Sequence, residues 1–139
     1  KVGFQRGGNV RALAPWREGI EKEGSALAWS EEPAWPARLA ETWWLGLRLA
    51  EGVDPERARS RAGCRALGDA DDPALEVAER LVSSGHLDRR GAHFVIPHDA
   101  VPLADAIAAR FLNDVPRSPR AARARAHCTT EEPMSDAAL

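Results

Sequence analysis

Residues 37–51, ARLAETWWLGLRLAE, constrain this chain more than any other stretch. Ala40, Trp43, Trp44, Leu47 and Ala50 recur at helical spacing, while Leu39, Leu45 and Leu49 are apolar on other faces. A helix that is apolar nearly all round is buried on more than one side. Trp43 and Trp44 are adjacent, hence about 100° apart on a helix, and burying both requires packing on two sides. Arg48 lies on the face of Glu41, and a guanidinium there can fork to a carboxylate or to backbone carbonyls at an interface. On these residues alone, a core helix and an inter-domain helix are equally good readings.

The rest of the ordered chain is organised around this helix. Gly52 is the expected C-cap glycine of residues 37–51. Asp54-Pro55-Glu56 supplies an N-cap, a proline in the first turn and an acid beside it, so a second helix is expected to about Ala62. Asp71-Asp72-Pro73 repeats the signal, and Leu75, Ala78, Leu81 and Val82 carry a third helix until Gly85. HLDRRGAHFVIP (86–97) predicts a short hairpin turning at Arg90-Gly91, with a second strand over residues 92–96. Residues 99–113 predict a closing helix with Leu103, Ala104, Ile107, Ala108, Phe111 and Leu112 on one face. Three helices, a two-stranded wing and a final helix make the fold class mainly α and winged-helix-like.

The flanks read differently. KVGFQRGGN (1–9) is expected as a loop, a short helix is expected from Pro15 to Gly24, and residues 25–36, with two prolines, as a connector. From Val115 the residues become Pro, Arg, Ala, Ser, Thr and Glu, a composition expected to be disordered. The expected organisation is therefore a linker with a short helix over 1–36, an accessory domain over 37–113 and a tail over 114–139.

Composition excludes several classes. A formal net charge of −2 gives no global attraction to nucleic acid or anionic membrane. No apolar run reaches the length of a bilayer span. The two cysteines, Cys64 and Cys128, form no metal-ligand spacing and read as unrelated cytosolic thiols, which makes a cytoplasmic protein the expectation. The chain starts at Lys1 and its one methionine is Met134, so a processed chain or a C-terminal piece of a longer protein is expected.

No catalytic constellation emerges. His86, His93 and His98 gather around the wing, and His127 lies in the tail, but none forms a helical i,i+4 metal pair; solvated or turn-bonded histidines are the ordinary reading. Neither a nucleophile elbow nor a phosphate-cradling glycine loop is present, and Arg6-Gly7-Gly8 has no preceding strand. A free-standing winged-helix DNA-binding regulator is the alternative function. Its reading helix would carry Asp71, Asp72, Glu76 and Glu79 against Arg80, which repels the phosphate backbone. A protein-interaction domain without a tetrapyrrole connection is a third reading.

Glu41, then Gly46-Leu47-Arg48, then Glu51-Gly52-Val53 resembles the "E…GLR…eGv" segment of the oxygen-independent coproporphyrinogen III oxidase and haem chaperone family of radical S-adenosylmethionine proteins. Upstream, Arg6-Gly7-Gly8-Asn9 followed by Trp16-Arg17-Glu18-Gly19-Ile20 and Gly24 resembles the segment that follows the family's barrel. Downstream, residues 81–87 resemble its step into the wing, and residues 94–112 its closing strand and helix. Two departures stand out. Pro97-His98-Asp99-Ala100 replaces the closing Thr-x-x-Gly, and the CxxxCxxC that holds the cluster is absent.

The resemblance implies a C-terminal accessory domain that packs beside a radical-SAM barrel and helps shape or cover its tetrapyrrole site. Glu41, Trp43, Trp44, Gly46, Leu47, Arg48 and Gly52 would form the inter-domain motif. No family catalytic, metal or cofactor residue maps onto the chain, which alone is expected to be inert. The implied cofactors belong to the parent protein: a [4Fe-4S] cluster, S-adenosylmethionine and, in the chaperone branch, haem. The implied partners are the N-terminal barrel and, through it, porphyrin or haem, with no specific nucleic acid and no membrane span. The "GLR" form is more similar to the chaperone branch.

Overall fold

Trp43 is the centre around which the larger part of the chain is built. A computed structural model describes residues 4–119, and the chain divides into two compact units, Lys1–Pro33 and Ala34–Leu139. The protein is mainly helical, with two small antiparallel strand pairs.

In the first unit, β1 (Arg6–Asn9) pairs antiparallel with β2 (Leu27–Glu31) around α1 (Leu13–Glu23). Residues 1–9 were expected as loop and 25–36 as connector; both contribute a strand instead. The glycines conceal the signal, because glycine has little strand propensity. Here the Trp29 indole fills the space over Gly8, where an added Cβ would stand 2.5 Å from Nε1. Arg6 and Glu31 bridge the open end of the pair at 2.7 Å. Helix α1 begins two residues before Pro15, which sits in its first turn, and stops at Gly24. Arg17–Glu21 and Glu18–Lys22 pair along its outer face at i,i+4, as favourable helix spacing allows.

The second unit contains α2 (Trp35–Gly46), α3 (Pro55–Ala62), α4 (Pro73–Ser83), the hairpin β3 (Asp88–Arg90) and β4 (His93–Val95), and α5 (Ala104–Asp114). Helices α3 and α4 begin where the Asp-Pro signals place them. Asp54 accepts hydrogen bonds from the Glu56 and Arg57 amides, and Asp72 from those of Ala74 and Leu75. The core joins all these helices to the hairpin through Leu39, Trp43, Ala58, Ala62, Leu75, Phe94 and Phe111. Trp43 stacks on Phe111 of α5 at 4.8 Å and meets Phe94 of β4 at 5.4 Å with a tilted ring, arrangements that add to area burial.

Besides the start of α2 at Trp35, two residues early, three boundaries differ from expectation. Helix α2 ends at Gly46 rather than Glu51, and the chain continues as tight turns, Leu49 N–H donating to Gly46 O and Gly52 N–H to Leu49 O. Gly52 is therefore not the helix cap. The closing segment is also divided: His98–Leu103 is a 3₁₀ turn and the α-helix starts only at Ala104. Pro102 has no N–H to give and its ring would clash with the carbonyl one turn earlier. The hairpin turn is Gly91-Ala92, one residue later than expected, because Phe94 must face the core and its pairing with Arg89 sets the register. The tail expected over 114–139 lies, from residue 120, outside the described residues, together with His127 and Cys128.

Candidate functional site

The segment 41–53 is one structural device, the last turns of α2 folded back onto the hairpin. Val53 exchanges both backbone hydrogen bonds with Phe94, at 2.9 and 2.8 Å. Two glycines allow this approach. Gly52 has φ +70 and an added Cβ would lie 2.0 Å from the Phe94 carbonyl oxygen, while one on Gly46 would lie 2.6 Å from Val53 Cγ2. The chain can cross itself here only without side chains.

The segment sorts its apolar residues to opposite sides. Trp43 is 0% exposed and Leu47 is buried. Trp44 is half-buried against the core, and Glu41, three residues earlier, is half-buried as well. Leu45 and Leu49 point outward, 56% and 58% exposed. The expectation that both tryptophans need packing on two sides is thus corrected. Trp43 is enclosed by its own unit, whereas the outer side of Trp44 is covered by the Arg48 guanidinium, 4.3 Å from the ring centroid. Arg48 also pairs with Asp105 of α5 at 3.0 Å, so its carboxylate partner is internal. The outward apolar surface is carried by the leucines.

Between this segment, α3 and the hairpin lies an open groove of about 300 Å³. Gly46, Leu49, Gly52 and Val53 line it together with Arg57 and Arg61 of α3 and His93 of β4. Of the motif residues, Gly46 and Gly52 line the groove, a feature the one-dimensional pattern did not reveal.

A second cluster escaped sequence reading altogether. Arg59 reaches Asp72 at 3.0 Å and Asp69 at 2.8 Å, with Arg59 and Asp72 8% and 2% exposed. Burial pushes the Asp72 carboxyl above its ordinary range, against the pull of the Leu75 amide, the Arg59 guanidinium and the Ala74 amide. For Arg59, burial works against the cation but the bonds and charges of Asp72 and Asp69 prevail, and its affinity for the proton rises. Beside them Arg38 donates to the Ala62 carbonyl at 2.8 Å, at the end of α3. Burial also pushes the Cys64 thiol up, with Asp72 adding to it and Arg38 and Arg59 opposing. The available signal was spacing: Arg59 shares the buried stripe of Ala58 and Ala62. This cluster locks α3 to the start of α4 and has the character of a structural staple.

The wing does not assemble a metal site. Among the described residues no group of three His, Cys, Asp or Glu side chains could hold an ion, and His86 Nδ1 is bonded to Ser84 Oγ at 2.8 Å. Two of the cations that would face DNA are engaged within the fold. Arg89 pairs with Glu79 at 3.2 Å, and Arg80 lies 3.9 Å from Glu76 and 3.7 Å from Asp114. Among the described residues no helix is long and apolar enough to cross a membrane.

Comparison with protein-family models, curated proteins and solved structures finds no match.

Proposed function

We propose that this chain is the C-terminal accessory domain of a radical-SAM protein related to the oxygen-independent coproporphyrinogen III oxidases and haem chaperones. Its second unit is winged-helix-like and lies against the parent's barrel, where it shapes or covers the tetrapyrrole site. The observation that carries this reading is the division of labour within residues 41–53. Trp43 and Leu47 serve the domain's own core, while Leu45 and Leu49 on the same segment stay outside it. The motif's glycines support the same reading, since Gly52 lets the segment meet the hairpin strand at Phe94 and Gly46 makes room for Val53 of the same segment.

The chain supplies packing and shape rather than chemistry. The cluster and S-adenosylmethionine would be held by the parent, and haem, where handled, would be shared with it. The free-standing DNA-binding alternative is the weaker one, because Arg80 of α4 and Arg89 of the wing already hold carboxylates.

Anaerobic purification of the complete gene product, followed by iron and acid-labile sulfide analysis, tests the proposal. About four of each per chain are expected for a [4Fe-4S] protein. Absence of both after cluster reconstitution overturns it.

A further inference from the structure

Arg57 and Arg61 are the two arginines that line this groove. Arg48, Arg59, Arg80, Arg89 and Arg110 each hold a carboxylate within 4 Å. Arg57 and Arg61 have none among the described residues, although Glu51 and Asp54 line the same groove. Asp54 is committed elsewhere, its Oδ1 accepting from the Glu56 and Arg57 amides. The two guanidinium groups are one helical turn apart on α3 and share the groove with the half-buried imidazole of His93. Leu49, Val53 and Ala58 supply apolar lining.

A planar guanidinium matches carboxylate and phosphate oxygens bidentately. A cleft of about 300 Å³ lies at the small end of those that hold small molecules. We infer that this groove binds a small organic oxyanion, a carboxylate or phosphate monoester on a compact apolar body, with Arg57 and Arg61 holding the anion and Leu49 and Val53 the body. Neither the radical-SAM assignment nor a bound tetrapyrrole is needed for this.

The test is NMR titration of the 139-residue chain with phenyl phosphate, benzoate, inorganic phosphate, phenol and benzylamine. Saturable shifts of the Gly46, Gly52 and Val53 amides are expected with phenyl phosphate or benzoate, and whichever binds tighter identifies the oxyanion. Inorganic phosphate and phenol, each carrying half of the recognition, should bind more weakly. The double variant Arg57→Gln/Arg61→Gln should weaken binding by about tenfold or more. Arg65→Gln should leave it unchanged, and Glu51→Gln should tighten it. The inference is overturned by unsaturable shifts, by equal or tighter binding of phenol or benzylamine, or by equal losses in the Arg65 and the double variants. Should the double variant unfold, the ligand series on the unaltered chain still decides.

Discussion

The Arg48 guanidinium lies over the indole of Trp44, 4.3 Å from its centroid, and makes the outer side of that ring a covered surface rather than a bare one. Its neighbour Trp43 is enclosed between Phe94 and Phe111. Two adjacent tryptophans thus have different physical roles. Trp43→Ala should lower the unfolding free energy by about 3–5 kcal/mol through the cavity it leaves. Trp44→Ala should cost roughly 2 kcal/mol, the sum of a partly exposed cation–π contact and half a buried ring. Urea denaturation followed by far-UV circular dichroism measures both.

Asp72 both caps α4 and holds Arg59. Asp72→Ala removes the two functions together and leaves a buried guanidinium dependent on Asp69, so a loss of about 3–5 kcal/mol is expected. Asp72→Asn retains an acceptor for the Ala74 and Leu75 amides and should be distinctly milder. Equal losses in the two variants would show that the cap contributes nothing beyond the ion pair.

Gly52 and Gly85 both have positive φ, +70 and +75, but only Gly52 meets a backbone oxygen where a Cβ would be placed. Gly85→Ala should therefore cost about 1 kcal/mol from backbone conformation alone. Gly52→Ala should cost more than about 2 kcal/mol, since the Phe94 carbonyl must also move. Thermal melts of the two variants side by side isolate the steric contribution.

Burial holds the Cys64 thiol above its ordinary value. A folded-state pKa raised above the unfolded one contributes stability that is complete below the unfolded thiol pKa, near pH 8.5, and is lost as pH rises toward the folded value. In a Cys128→Ser background, stability should fall above about pH 8.5, and Cys64→Ala should remove that decline. Alkylation of Cys64 in the native chain should be slower than in urea at the same pH.

Signals that act within a few residues were legible in the sequence. Asp54-Pro55 and Asp72-Pro73 start helices because cap and proline need only their own turn. The core tryptophan was legible as apolar at helical spacing. Features set by distant partners were not. Helix α2 stops at Gly46 because Val53 pairs with Phe94, some forty residues further along the chain, and β1 looked like linker because Trp29 supplies the side chain that Gly8 lacks. Arg59 resembled any exposed arginine until Asp69 and Asp72 were brought beside it. Of the stripe Ala40, Trp43, Trp44, Leu47 and Ala50, the structure buries Ala40, Trp43 and Leu47 but leaves Trp44 half-buried and Ala50 exposed.

Hydroxyl-radical labelling read by mass spectrometry, on this chain alone and on the complete gene product, tests most directly whether the outer side of residues 44–49 was shaped against a neighbour. Leu45 and Leu49 should be oxidised readily in the isolated chain and protected several-fold in the complete protein, with Trp43 protected in both. Equal oxidation of the two leucines in the two samples would contradict the account.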